Sequence, residues 1–227
     1  MEVVDKIPVI LEPTAICGKL FPNKKGRRFS DIVEMLEVAN TLIEAKAVYD
    51  ATCISHVSDD SVKLSGIEFT SRVLAMNLSK AGKVFPYILT IGRKLEEEAR
   101  RFNLLKRFYL EAIGDAALDD ARHRLEEHLK SKYVIGQLSS MNPGSLEDWP
   151  ITQQAHLFSL FRGVEQAIDV RLTPECCMIP RKSTSGILFP TEVKFYSCQL
   201  CPRAKCDSRQ APYDPLLKEK YQKTRHQ

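Results

Sequence analysis

The segment LEAIGDAALDDARHRLEEHL, residues 110–129, decides how this chain folds. Apolar side chains recur in it at helical spacing, which predicts the body of a long helix from about residue 104 to 130. Small residues at the middle of this stripe let a neighbouring element pack closely. The intervening Asp115, Asp119 and Asp120 are typical of a solvated face rather than of a catalytic site. The stripe consists of Leu110, Ile113, Ala117, Ala121, Leu125 and Leu129.

Strand patterns precede this helix. The run from Val84 to Ile91 is apolar throughout, as in a buried strand, and Ser61 to Phe69 alternates apolar and polar residues around Gly66. Shorter helices are predicted from Ser30 to about Lys46, from Ser71 to Ser79 and from Thr152 to Phe161. Helices and strands mix without regular βαβ alternation, so the expected class is α+β. The tail from Ala211 is polar and broken by prolines, and we expect little order in it.

Composition excludes several classes of protein. The chain has 227 residues, of which 44% are hydrophobic and 27% charged, and a disordered chain would be less apolar. A net charge of +4 is too small to indicate a nucleic-acid partner. The first residues lack the basic and apolar regions of a secretory signal, and no apolar run approaches membrane-spanning length. We therefore expect a cytoplasmic protein without a membrane or nucleic-acid partner.

The seven cysteines are the unusual number in the composition. Cys198, Cys201 and Cys206 follow a C-x2-C-x4-C spacing, and thiolates in such a turn can bind one metal or adjacent irons. A [4Fe–4S] cluster needs a fourth ligand, for which Cys176 and Cys177 are the nearest candidates. A zinc ion, or three reduced thiols with no metal, are the alternatives.

A second candidate site lies in residues 139–150, which are rich in turn-forming residues and are predicted to form a loop before a helix. Its Asn142-Pro143-Gly144-Ser145 turn could present backbone N–H groups to a small ligand, and Trp149 could supply an aromatic face for stacking. An ordinary surface turn is the alternative. The sequence indicates no catalytic residue.

Taken in order, seven stretches resemble the activation (reactivation) region of vitamin B12-dependent methionine synthase, in its stand-alone form. Each is short, but together they span most of residues 27–190. The stretches are IEAKAVY (43–49), LSGIEF (64–69), LTIGRKLE (89–96), EAIGDAA (111–117), NPG (142–144), LTPECCMIP (172–180) and STSG (183–186).

The resemblance implies a single C-shaped α+β domain with a twisted antiparallel sheet and flanking helices. Prolines, glycines and lysines at the start of the chain predict an extended N-terminal arm (1–26), and the resemblance places an activation-like domain at 27–195, before a Cys-rich C-terminal extension and tail (196–227). The resemblance also implies S-adenosylmethionine binding at a loop that reads Arg-x-x-Pro-Gly-Tyr in that family. Here Ser140 stands where the Arg falls and Ser145 where the Tyr falls, so the loop could hold another ligand or none. The implied loop residues are Ser140, Asn142, Pro143, Gly144 and Ser145.

The function that follows is that of an accessory protein for a cobalamin-dependent methyltransferase, most simply methionine synthase, rather than of a complete enzyme. The partner would carry the cobalamin, and a flavodoxin or ferredoxin would supply an electron. An iron–sulfur centre at the three cysteines could relay that electron. Two alternatives are a non-catalytic module that docks on a corrinoid protein and a small metalloprotein regulator.

Overall fold

A computed structural model of the chain describes residues 1–21, 28–206 and 208–223. The helices are α1 (Pro13–Leu20), α2 (Phe29–Leu42), α3 (Arg72–Leu78), α4 (Lys94–Ala99), α5 (Leu104–Tyr133), α6 (Gln154–Ser159), α7 (Val164–Ile168) and α8 (Pro215–Lys223). The strands are β1 (Glu2–Val4), β2 (Lys46–Tyr49), β3 (Thr52–Val57), β4 (Ser61–Leu64), β5 (Ile67–Thr70), β6 (Lys83–Thr90), β7 (Leu138–Met141), β8 (Arg171–Leu172), β9 (Met178–Ile179) and β10 (Ser183–Pro190). Two 3-10 turns lie at Ile151–Gln153 and Ser197–Gln199.

Strand β6 is the centre of an antiparallel sheet that contains eight strands of the described chain. Along one edge it pairs with β2 through residues 87–90 and with β3 through residues 83–84. Its other edge pairs with β10, which in turn pairs with β7. Strands β1, β4 and β5 extend the sheet, while β8 and β9 form a separate hairpin. The arrangement places β7, and the turn that follows it, beside β10.

The two faces of β6 and β10 bury different cores, since alternate side chains of a strand point to opposite faces. Phe85, Tyr87 and Leu89 join Leu188 in a core beneath α1, α2, α4 and α5. The opposite face packs a second core that includes Val84, Met141, Ile187, Phe189 and, from outside the sheet, Trp149. The turn after β7 lies over this second core.

The α+β class with an antiparallel sheet and flanking helices is confirmed. All six residues of the predicted stripe on α5 are buried against the first core, so the long helix is confirmed as well. Helix α2 begins at Phe29, one residue before the predicted cap Ser30, and ends at Leu42 because Lys46 already belongs to β2. Within the described residues, no helix is both long and apolar enough to cross a membrane.

Three local expectations were wrong. The N-terminal arm is not extended throughout, because α1 begins at Pro13 and packs Ile16 and Cys17 into the first core. Residues 139–141 belong to β7 rather than to a loop. The tail contains α8, whose Tyr221 packs beside Phe195 on the second core. The division of the chain at residues 26 and 195 stays a prediction, and residues 22–27, 207 and 224–227 lie outside the described residues.

Candidate functional site

Residues Asn142 to Ser145 form a tight turn directly after β7. The backbone N–H of Ser145 donates to the carbonyl of Asn142 at 3.1 Å, with Pro143 and Gly144 at the two central positions. Gly144 has a φ of +80°, which is the conformation that the third position of a type II turn requires and that glycine adopts without strain. The N–H of Gly144 donates to the carbonyl of Trp149 at 2.7 Å. That donor is therefore engaged within the chain.

The side chain of Asn142 ties this turn to the centre of the sheet. Its Nδ2 donates to the hydroxyl oxygen of Tyr87 at 3.0 Å and to the backbone carbonyl of Ser185 at 2.5 Å. Its Oδ1 accepts from the Ser140 hydroxyl at 3.4 Å. Because its amide is engaged in this way, Asn142 positions the turn rather than offering a free group to a ligand.

Trp149 does not present an aromatic face, so the expectation of stacking on it was wrong. Leu146 and Trp149 form an isolated antiparallel bridge, and the Trp149 side chain is fully buried. Its ring lies edge-on to Phe69 with 6.2 Å between centroids. The indole Nε1 has no hydrogen-bond partner among the described residues. Trp149 is a core residue that supports the segment above it.

A cavity of about 730 Å³ opens beside the turn. Ser145 lines it on one side, and residues 146–148, the start of α3, residues 200–202 and one face of α8 complete it. Its volume is within the usual range of small-molecule sites, about 300–1,000 Å³. Cys201 lines the same cavity, and the hydroxyl of Ser145 lies 3.3 Å from that of Ser197. The structure thus brings the predicted ligand turn next to the predicted cysteine segment.

Charged groups of both signs line this cavity. Arg72 donates from Nε to the backbone carbonyl of Tyr221 at 2.6 Å, a group near the C-terminal end of α8 where carbonyls lack intrahelical partners. Asp148 accepts at Oδ2 from the Ser71 hydroxyl at 2.5 Å and from the backbone N–H of Val73 at 2.9 Å. Lys218 and Glu147 also line the cavity. The cavity therefore offers both cations and anions to a ligand.

Tyr221 fixes the position of α8 on the domain. Its hydroxyl donates to Oδ1 of Asn77 at 3.0 Å, and burial raises the pKa of that phenol. The ring also lies against Phe195, with 5.9 Å between centroids. As a result, the face of α8 that carries Lys218 is held toward the cavity.

The three predicted metal ligands are not assembled in the structure. Cys198, Cys201 and Cys206 are all half-buried free thiols. Across residues 1–21, 28–206 and 208–223, no group of three or more His, Cys, Asp or Glu residues is arranged to hold a metal ion. Cys176 and Cys177 lie in the β8–β9 turn, where both backbone N–H groups bond to Thr173.

The guanidinium of Arg209 contacts the backbone of the loop that carries Cys198 and Cys201. It donates to the carbonyls of Cys198 at 3.1 Å and Cys201 at 3.3 Å, and also to the carbonyls of Arg203 and Ala211. The backbone N–H of Gln210 donates to Sγ of Cys198 at 3.5 Å. A cation of the chain itself therefore organises this loop.

The turn was predicted from the sequence, but the charged residues around it were not. Arg72 and Lys218 belong to helices that are far apart in the sequence, and packing of α8 against α3 brings them to one cavity. The Asp214-Pro215 pair was the available signal for α8, because Pro is favoured at the first position of a helix. Ser140 lies within β7, paired with Leu188, and is not part of the cavity lining.

No family model and no curated protein sequence matches the chain. Among solved structures 13 chains match it. One of them is the crystal structure of the MetH reactivation domain bound to AdoHcy, which is 13% identical and superimposes with a TM-score of 0.61. That match covers 86% of this chain and 80% of the other. The chain therefore has the fold of the MetH reactivation domain, the fold that the resemblance in its sequence implied.

Proposed function

We propose that this chain helps to reactivate a cobalamin-dependent methyltransferase, with methionine synthase as the favoured partner. The observation that carries the proposal is the shared fold over 86% of the chain, since the similar domain is one that reactivates MetH. The order of the seven resembling stretches supports it independently. Fold alone does not fix function, so the proposal also depends on the cavity described above.

The small-molecule ligand of the proposal is S-adenosylmethionine, with its product S-adenosylhomocysteine. The similar structure holds AdoHcy. In this chain the Asn142–Ser145 turn lies at the edge of a cavity large enough for such a molecule. Of the proposed loop residues, Ser145 lines the cavity, Asn142 holds the turn, and Pro143 and Gly144 shape it. Ser140 supports the turn through Asn142.

The reaction that the partner would undergo is reductive methylation. A flavodoxin or ferredoxin would supply one electron to the partner's cob(II)alamin, and S-adenosylmethionine held by this chain would donate its methyl group to the reduced cobalamin, leaving S-adenosylhomocysteine. The cobalamin belongs to the partner, and the chain's own part is to hold the methyl donor. A cytoplasmic location fits this partnership and stays part of the proposal.

The metal-binding part of the proposal rests on the spacing of Cys198, Cys201 and Cys206. An iron–sulfur cluster there would lie beside the cavity, since Cys201 lines it, and would be placed to relay the electron. The loop would have to close around the metal, because its carbonyls now converge on Arg209. Anaerobic reconstitution followed by iron, sulfide and visible-absorbance measurements tests this. Cys53→Ser is the matched control and should bind as much iron as the wild type. If Cys198→Ser also binds as much iron as the wild type, the metal assignment is wrong.

Two binding experiments separate the proposal from its alternatives. Calorimetry with S-adenosylmethionine gives saturable binding if the chain holds the methyl donor, and no heat if it only docks on a corrinoid protein. Co-precipitation with the cobalamin-binding portion of a methionine synthase should retain the chain if it is a reactivation protein or a docking module. A small metalloprotein regulator would not be retained.

A further inference from the structure

The cavity beside the turn contains a pair of cations that the structure brings together from distant parts of the sequence. Arg72 is the first residue of α3, and its Nε is held 2.6 Å from the carbonyl of Tyr221. Lys218 precedes Tyr221 by three residues on α8, a spacing that places both on one helix face. Arg72, Lys218 and Tyr221 all line the cavity. Both positive charges therefore reach the same space.

Neither cation is neutralised by the part of the chain that the structure describes. No ion pair joins Arg72 or Lys218 to an acidic group of residues 1–21, 28–206 or 208–223. The ammonium group of Lys218 lies 5.8 Å from the ring centroid of Tyr213, a contact that leaves its N–H donors available. Arg72 uses only Nε in its bond to Tyr221, so both terminal nitrogens remain as donors.

The two acidic residues that line the cavity differ in whether the chain itself engages their carboxylates. Asp148 is engaged by Ser71 and Val73 and so serves the start of α3. Glu147 is exposed and forms no hydrogen bond or ion pair with the described residues. One cavity thus holds two uncompensated cations and one uncompensated carboxylate, next to the apolar surface of Leu146 and Leu200.

We infer that Arg72 and Lys218 bind the carboxylate of the amino-acid end of the S-adenosyl ligand, and that Glu147 binds its ammonium group. This inference rests on the proposed function. A ligand that joins a zwitterionic end to a flat adenine ring matches a cavity that has charged groups next to an apolar surface. Guanidinium and ammonium donors form short, charge-assisted hydrogen bonds to carboxylates, which are stronger than those between neutral groups. The ligand would then be held jointly by α3 and by α8.

A pair of ligands isolates this contact. S-adenosylhomocysteine carries the amino-acid end, whereas 5′-methylthioadenosine keeps the adenosine and the thioether sulfur but lacks that end. We expect Arg72→Gln and Lys218→Gln each to weaken S-adenosylhomocysteine binding about tenfold or more, and to leave 5′-methylthioadenosine binding unchanged. Lys80→Gln, an exposed lysine outside the cavity lining, is the matched control with the same loss of charge and should bind both ligands as the wild type does.

Lys218→Gln decides the question if Arg72→Gln disturbs the contact between α3 and α8. A selective loss of S-adenosylhomocysteine in Lys218→Gln supports the inference, and unchanged or equally weakened binding of the two ligands overturns it. If the wild-type chain binds neither ligand, the ligand assignment of the proposed function is wrong and the inference falls with it. If the wild type binds S-adenosylhomocysteine and Lys218→Gln binds it equally well, the inference is overturned and the proposed function stands.

Discussion

The side chain of Asn142 lies directly over Gly186. A Cβ at position 186 would lie 2.6 Å from Nδ2 of Asn142 and 2.5 Å from the carbonyl oxygen of Met141, both closer than real Cβ contacts come. The close approach arises because β7 pairs with β10, and Asn142 crosses β10 to reach Ser185 and Tyr87. Only glycine at 186 permits this crossing, which fixes the turn beside the cavity.

Gly186→Ala should therefore destabilise the protein by about 2 kcal/mol, because the clash is with backbone that the sheet holds in place. Urea denaturation followed by circular dichroism measures the change in free energy of unfolding. Gly82→Ala is the matched control, since a Cβ there meets no atom within 4 Å, and should change stability by less than about 0.5 kcal/mol. Equal stability of the two variants would contradict the assigned contact.

Asn142→Ala should cost about 1–3 kcal/mol, since it leaves the Ser185 carbonyl without this donor. Ser145→Ala tests the neighbouring position: its hydroxyl is exposed, so we expect a loss of less than about 0.5 kcal/mol. Unfolding in urea reports both values. A larger loss in Ser145→Ala than in Asn142→Ala would show that the turn is not held through the amide.

Trp149 is the only tryptophan, so intrinsic fluorescence reports on its environment directly. Because the indole is fully buried, we expect blue-shifted emission and weak quenching by acrylamide in the folded protein. A bound ligand should change the emission little, since the ring does not line the cavity. Strong acrylamide quenching in the native state would instead place the indole at the surface.

Glu2 should make stability depend on pH at the acidic end. Hydrogen bonding from Lys132 lowers the pKa of its carboxyl, partial burial opposes this, and the hydroxyls of Tyr49 and Tyr133 lower the pKa further. A lowered pKa in the folded state stabilises the protein above the ordinary carboxyl range, and this contribution disappears as pH falls through the folded value. The effect is small because the carboxylate is partly exposed.

Comparison of Glu2→Gln with the wild type isolates this contribution. The variant should unfold at lower urea concentration at pH 7, and the difference should vanish as pH is lowered through the Glu2 pKa. Glu37→Gln, an exposed acid without an ion pair in the described residues, controls for the change in charge. A difference that grows on acidification would have the wrong sign.

The spacing of apolar residues predicted those helices and strands in which that spacing alone selects the buried face. The stripe of α5 is an example, because helical spacing alone selects Leu110 through Leu129 for the core. Helices α1 and α8 were missed because each is short and begins at a proline that also reads as a break in the chain. Their helical form depends on tertiary contacts, such as that of Tyr221 with Asn77, which no local pattern encodes.

Some features of the candidate site could likewise be predicted from local sequence, and others depend on tertiary packing. The Asn142–Ser145 turn follows from the conformations that Pro143 and Gly144 favour, and it was predicted. The burial of Trp149 was not predicted, because it depends on packing against residues distant in the sequence, such as Phe69. The approach of Arg72 to α8 depends on packing between residues 149 positions apart in the sequence. The roles of the three cysteines stay a prediction.

The most direct test of the account is a reactivation assay on the cobalamin-binding portion of a methionine synthase that lacks its own reactivation domain. The partner is held as cob(II)alamin with S-adenosylmethionine and reduced flavodoxin, and visible absorbance follows the formation of methylcobalamin. We predict methylation that requires this chain, with one S-adenosylhomocysteine released per cobalamin methylated. Methylation at the same rate with and without the chain would contradict it.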